Sequence, residues 1–267
     1  MSIIITNYVT MIKFFRKIRQ ELLTENKIGQ YLKYAIGEIL LVVIGILIAL
    51  QINNWNEARK SRIVETVLLK TIKSDLARTL SDVKDDYENH LKSQKSGNKF
   101  KRFLLGENML EDSIYLHFNR LSQDRHFFPK SSGYESLKSS DMNIISNDSL
   151  RMIITELYEL TFPRIKEWDE SNPRWDIGIV LNPYYKKHFI LTDEVVENKM
   201  FTPAILTYNF KLKSLEDIRN DNDFQIDLQE VFQLRNRKIW LNRLGIGSIE
   251  LVLSNINKEL ERLNVND

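Results

Sequence analysis

Four histidines, His90, His117, His126 and His188, are the first residues to consider for proton transfer or metal binding in this 267-residue chain. They lie far apart, and none has a partner at H-x-H or H-x-x-x-H spacing, so each is expected to be a surface or satisfied core histidine. Cysteine is absent, which removes disulfides, zinc thiolates, iron–sulfur clusters and thiol nucleophiles together. A chain without cysteine suits the cytosol and an oxidising periplasm alike. Neither a G-x-S-x-G elbow nor a phosphate loop occurs. Gly245-Ile-Gly247 has Glu250 where a third glycine is needed and no predicted strand before it, so it is expected to be a kink or a close helix contact. Asp221-Asn-Asp223-Phe-Gln225 resembles the start of a calcium loop, but Ile226 replaces the required glycine and Phe232 the bidentate glutamate. A solvated turn is the expectation there. The acidic pairs Asp85-Asp86, Glu111-Asp112 and Glu216-Asp217 are adjacent residues that point to different helix faces, so none makes an acid/base dyad by itself.

One cluster remains. Trp168, Asp169, Trp175, Asp176, Tyr184 and Tyr185 bring aromatic and acidic side chains together in sequence and are candidates for lining a ligand groove, with burial of the rings against a helical bundle as the competing account. The enzymatic reading is a hydrolase or transferase assembled from Asp, Glu and His around residues 168–188. No catalytic residue, metal ligand or cofactor motif stands out, so a non-enzymatic partner- or ligand-binding role, sensor-like or scaffold, is favoured.

These residues must be positioned by helices. Glycine is 9 and proline 5, too few to punctuate the many turns of a β-sandwich or barrel. A hydrophobic share of 43% against 28% charged is that of a chain that folds, so the fold class is all-α. The net charge is only +2, giving no basic field for nucleic acid. The charge is nevertheless uneven: residues 1–60 hold 8 basic and 4 acidic residues, leaving 30 and 32 for the rest. A basic end beside a near-neutral body suggests a membrane anchor.

That anchor is legible. From Tyr34 to Ile52 the chain reads YAIGEILLVVIGILIALQI, with an unbroken apolar run from Ile39 to Leu50. At 1.5 Å per residue, the 19 residues span about 28 Å, close to the roughly 30 Å hydrocarbon core of a bilayer. About 33 residues precede the run and no small-x-small cleavage site ends it, so a retained signal anchor is expected rather than a signal peptide, with a buried core helix as the other rival. Tyr31, Tyr34 and Trp55 sit where interfacial aromatics belong. Lys13, Arg16, Lys17, Arg19, Lys27 and Lys33 precede the span, against Arg59, Lys60 and Arg62 just after it, which favours a cytoplasmic N-terminus in a bacterial inner membrane. Residues 11–23 form a basic amphipathic helix suited to an anionic inner leaflet or to a short cytosolic segment. The expected organisation is 1–33 cytoplasmic, 34–55 transmembrane, and 56–267 a periplasmic helical bundle. Glu38 shares a helix face with Gly45 and Ala49, a stripe that either packs on a second membrane helix, of this chain or of a partner, or leaves Glu38 to snorkel to the headgroups.

Beyond Trp55 no breaker precedes Ser96-Gly97-Asn98, which predicts that the membrane helix continues to about residue 92. Leu69, Ile72, Leu76, Leu80, Val83, Tyr87 and Leu91 follow steps of three and four averaging about 3.67 residues, the stripe of a nearly straight helix in a bundle and not of a left-handed dimeric coiled coil. Leu228 to Leu263 predicts a second long helix. Leu150 to Leu160 predicts another with Asn147 or Ser146 as N-cap, and Pro203 fits the start of one reaching about Arg219.

MIKFFRKIRQELL followed by YLKYAIGEILLVVIGILIALQINNWNEARK resembles the N-terminal signature of a family of single-pass membrane proteins of Bacteroidota described only as a domain of unknown function. The match is specific over residues 11–60. Weaker similarity follows at Gly133-Tyr-Glu-Ser-Leu-Lys-Ser-Ser140, at Ile145-Ser-Asn-Asp-Ser-Leu150 and from Phe224 onward. The resemblance implies an inner-membrane anchor with a helical periplasmic domain, and carries over no catalytic residue or ligand. Family members begin at the position of Met11, so residues 1–10 are expected to lie upstream of the native start.

Overall fold

The computed structural model describes residues 28–170, 176–198 and 205–265. The amphipathic segment at 11–23 and Trp175 lie outside them, as do the side chains of Tyr31, Tyr34 and Asp169. The architecture is all-α, with one two-stranded antiparallel ribbon set among the helices. Its elements are α1 (Ile28–Leu104), α2 (Glu111–Ser122), α3 (Ser132–Ser139), α4 (Asp148–Glu156), α5 (Phe162–Glu170), α6 (Ile177–His188), β1 (Phe189–Asn198), β2 (Ile205–Leu212), α7 (Leu215–Arg219) and α8 (Asn222–Val265).

The chain divides into two compact units, Met1–Ile63 and Val64–Asp267, and α1 contributes to both. In the first unit, the most apolar 18-residue window of this helix has a mean hydropathy of 2.6 and is not buried anywhere. It is the one helix among the described residues that is long and apolar enough to cross a membrane. From Ile36 to Ile52 the large apolar side chains are exposed all round, so the segment has no polar face to offer water.

In the second unit, α1 carries a buried stripe that begins at Leu69, Ile72, Leu76 and Val83, as the periodicity predicts. Beyond Val83 the stripe turns to His90, Ser93, Gly97 and Phe100, while Tyr87 and Leu91 are only half-buried. The helix does not end near residue 92. Gly97 is used for packing: a Cβ there would lie 2.7 Å from Leu121 Cδ1 and 3.0 Å from Phe232 Cε1, so the missing side chain admits α2 and α8. The stop comes at Gly106, whose φ of +111° is costly for any residue with a Cβ. Gly106 N–H bonds Phe103 O at 3.1 Å and Glu107 N–H bonds Arg102 O at 3.0 Å, the paired closure of a helix C-terminus.

Two apolar clusters form the core of this unit. The first joins α1 up to Val83 with Leu137, Ile154, Phe162 and Ile165, and with α8 from Leu241 to Leu263. The second joins α1 from Phe100 with Phe118, Leu121, Leu181 and Phe224, and with α8 from Leu228 to Leu234. Asn147 caps α4, its side chain accepting from Leu150 N–H, as expected. A π turn at Leu157–Thr161 then joins α4 to α5, with Phe162 N–H bonding Leu157 O. This wider turn lies just before Pro163, which has no N–H to continue the α pattern.

The helix expected from Pro203 to Arg219 is not formed; Ile205–Leu212 is β2, paired from Phe189↔Leu212 to Asn198↔Ile205 with an irregularity between Leu191 and Val195. The β-branched and aromatic residues of FILTDEVVEN and ILTYNFKL favour a pleated pair, and only Leu215–Arg219 is helical. Gly245 is a close helix contact, a Cβ there falling 3.2 Å from Ile165 Cδ1, whereas Gly247 faces open space and α8 runs through both.

Candidate functional site

Between the two apolar clusters lies a layer of buried polar groups. Val83 and Phe100 bracket His90 on α1, and Leu234 and Leu241 bracket Arg235 and Lys238 on α8. Arg235 is fully buried; its Nη1 meets His90 Nδ1 at 2.5 Å, and its Nη2 donates to Leu121 O at 2.8 Å and Gln123 O at 2.5 Å. Burial, followed by the charges of Arg235, Lys238 and Arg125, pushes His90 down to about 2. The ring is therefore neutral, and with Nδ1 accepting from Arg235 its proton sits on Nε2, which is buried without a partner. A base of that pKa, closed off from solvent, is useless for proton abstraction at neutral pH. Burial also draws Arg235 down to about 10, with Asp124 opposing, so the guanidinium stays charged.

Lys238 Nζ sits 3.1 Å from Asp124 Oδ2, both side chains buried, and the same oxygen accepts Ile177 N–H at 3.0 Å. Asp124, His126 and Asp176 bring one ligand atom each within 4.8 Å of one another, and His126 Nε2 is 3.6 Å from Asp176 Oδ2. Of the trio only Asp176 is a candidate from the sequence, because Asp124 and His126 lie 50 residues or more from it and a short-range spacing cannot register the grouping. Its donor set is already employed: Lys238 supplies the cation to Asp124, and Asp176 Oδ1 caps α6 by accepting Ile179 N–H at 2.9 Å. The arrangement is an ion-paired clamp that fastens the start of α6 to α8.

Three more buried acids fasten loops. Asp75 Oδ2 accepts Ser132 Oγ–H at 2.7 Å and Gly133 N–H at 2.8 Å, and Gly133 approaches α1 so closely that a Cβ would lie 2.7 Å from Ile72 N. Beside it Tyr134 stacks on Tyr158 with ring centroids 4.4 Å apart, and Tyr134 O–H donates to Glu159 at 3.0 Å. Burial, with Glu159, raises Tyr134 to about 12. Glu65 Oε1 accepts both Ser146 N–H and Oγ–H, while Glu259 holds Asn147 Nδ2 at 2.8 Å and Arg262 Nε at 2.9 Å. The stretches 133–140 and 145–150 are thus latches that close on α1 and α8.

His188 and Asp221 meet at 2.6 Å, and Lys187 Nζ reaches the same carboxylate oxygen at 2.9 Å. Asp221 also caps α8 by accepting Phe224 N–H at 3.2 Å. Burial raises this carboxyl, but Lys187, His188 and the Phe224 amide together hold it down at about 2. The solvated turn expected at 221–225 is not formed: Asn222–Gln225 are the first turn of α8, and Asp221, its cap, is buried. His188 is a satisfied core histidine.

The aromatic candidates are divided among surroundings. Trp168 is partly exposed, with the guanidinium of Arg237 4.9 Å from the centre of its ring. Tyr184 buries its ring against Phe224 and donates O–H to Asp227 at 2.6 Å. Tyr185 packs on Phe118 and its hydroxyl bonds Asn119 at 2.9 Å and Ser122. Burial raises both phenols. In the first unit Glu38, Gly45 and Ala49 are exposed along α1, and nothing lies within 4 Å of where a Gly45 Cβ would stand.

Taken together, a candidate membrane-spanning helix followed by helices whose buried charges hold loops and helix ends defines an all-α protein. The chain matches the profile of a family of unknown function, DUF6090, over residues 38–174, and belongs to that family. The matched region takes in the apolar run from Ile39 to Leu50 and both latches, at 133–140 and 145–150. No match to the chain is found among curated proteins or among solved structures.

Proposed function

We propose that residues 34–55 anchor this protein as a single-pass helix in the bacterial inner membrane, with the N-terminus cytoplasmic, residues 56–267 in the periplasm, and membrane lipid around the span. The domain then serves as a non-enzymatic binding component, sensor-like or scaffold. The observation that carries the anchor is the exposed apolar helix: twelve large aliphatic side chains from Ile36 to Ile52 lie open at 44 to 70% of their surface. At about 1.5–3 kcal/mol for each such side chain buried, on the order of 20 kcal/mol of transfer free energy awaits a lipid environment. The orientation rests on the six basic residues before the span.

The binding role rests on how the buried acids are used. Asp75, Glu65, Glu259 and Asp221 all fasten the protein's own loops and helix ends, which leaves recognition as the work of the domain's surface. The partner, a second copy of this chain or another membrane or periplasmic protein, meets the anchor along Glu38, Gly45 and Ala49, where two small residues allow close helix approach.

A reporter fused after Asp267 is expected to be active only in the periplasm; cytoplasmic activity would overturn the orientation. Crosslinking in membranes is expected to trap a partner through the Gly45 face, and Gly45→Ile with Ala49→Ile to abolish the product. Unchanged crosslinking in the double variant would remove the stripe from the reading.

A further inference from the structure

A cleft in the second unit lies where the end of α1 meets α7 and the start of α8. It encloses about 180 Å³. Leu104, Ile218, Leu228 and Phe232 make its apolar walls, Lys101 and Arg219 are its charged ones, and no Asp or Glu lines it. Ile218 and Leu228 are buried, so the floor is part of the second core cluster and is set by the fold.

Arg219 is the informative side chain. Its Nη2 donates to Phe103 O at 2.9 Å, a carbonyl in the last turn of α1, and its Nε is buried with no acceptor. Gln225, also on the wall, donates its Nε2–H to Arg219 O at 2.5 Å. The Lys101 ammonium stands 5.6 Å from the centre of the Phe232 ring. Elsewhere in the domain a buried carboxylate is met by a cation or by N–H donors, as at Asp124 and Asp221, and here two cations flank an apolar hollow with no carboxylate in its walls. A carboxylate supplies the counter-charge that the walls do not offer these two cations, and charge-assisted hydrogen bonds are the strong ones.

We infer that this cleft binds a small soluble carboxylate with an apolar body, the chain or ring lying against Leu104, Leu228 and Phe232 and the carboxylate between Lys101 and Arg219. The size fits: an apolar cavity of about 150 Å³ accommodates benzene, so about 180 Å³ takes a phenyl ring or short alkyl chain and is too small for a diacyl lipid. Aromatic and aliphatic walls supply affinity and the two cations supply selection for one negative charge. The inference names a ligand class for the binding role proposed above and rests on that reading.

The test uses the full chain in nanodiscs of zwitterionic lipid, with 4-phenylbutyrate as probe, 4-phenylbutanol as its neutral counterpart, and empty nanodiscs as the control for partition. Saturation-transfer NMR and titration calorimetry are expected to show saturable binding of the carboxylate and about tenfold weaker binding of the alcohol. Gln229→Trp, which places an indole on an exposed rim position, is expected to block the carboxylate, and Lys101→Gln, at another exposed position, to weaken it several-fold. Arg219→Gln is expected to abolish binding. Equal binding of acid and alcohol, no binding above empty nanodiscs, or binding indifferent to both Gln229→Trp and Lys101→Gln would overturn the inference. The crosslinking through Gly45 does not involve this cleft, so failure here and failure of the partner reading are separate results.

Discussion

Gly133 is the position where a single methyl group tests the reading of the latches. Its Cβ, if present, would stand 2.7 Å from Ile72 N and 3.0 Å from Ile72 Cα and Cγ1, against an ordinary contact distance that begins near 3.4 Å. Gly133→Ala therefore requires α3 to move off α1 by about 0.7 Å, and the obstruction is backbone rather than a flexible side-chain end. Overpacking of this kind costs about 1–3 kcal/mol. The same movement pulls Gly133 N–H and Ser132 Oγ–H away from Asp75, at present 2.8 and 2.7 Å distant, and bonds to a buried carboxylate contribute about 1.5–3 kcal/mol. Alanine returns at most about 1 kcal/mol of helix propensity, so the net loss is about 2–4 kcal/mol. For a domain of this size that lowers Tm by roughly 5–15 °C. Gly247→Ala is the matched control: its Cβ meets nothing within 4 Å, and it is expected to stabilise by about 0.5–1 kcal/mol. Urea titrations and thermal melts of the full chain in detergent measure both. A Gly133→Ala protein within about 0.5 kcal/mol of the parent would refute the argument that this glycine is held by close backbone approach.

Two further predictions concern the polar layer. Lys238→Met leaves the Asp124 carboxylate buried without its cation and is expected to cost about 3–5 kcal/mol in urea unfolding, with Asp124→Asn in the same chain recovering much of the loss; additivity of the two substitutions would contradict the pairing. His90 gives stability a pH dependence. With the folded value near 2 and the unfolded value near 6.5, the unfolded chain binds more protons between them, so stability is full above about pH 6.5 and falls as pH drops through that window, by at most about 1.4 kcal/mol per unit. Urea midpoints at pH 7 and pH 5 measure the loss, and His90→Gln is expected to flatten it. An identical slope in the variant would place the titrating group elsewhere.

The candidate membrane helix, the all-α class, the buried start of α1 and the Asn147 cap were legible in the sequence because each is local. Hydrophobic length, a repeat near 3.6 and the side chain of one capping residue act within a few turns of the chain. Local signals misled where packing outweighed them. Ser96-Gly97-Asn98 reads as a breaker, but Gly97 lies inside α1 because Leu121 and Phe232 occupy the space its side chain would need. Pro203 reads as a helix start, but the segment after it pairs with β1, and a ladder between residues 189 and 212 has no short-range signature.

Tertiary structure alone decided the fate of the charges. His90, Asp124, Arg235 and Lys238 are polar residues scattered over about 150 positions, and nothing in their spacing says that they share one buried layer between two apolar clusters. The same holds for Arg219, an ordinary residue at the end of a short helix until the chain brings Lys101, Leu228 and Phe232 around it. Sequence by itself fixes where an apolar segment begins and which face of a helix is greasy, since those follow from neighbours along the chain. Which charges lose their water, and which then need a partner, depends on neighbours that only folding supplies.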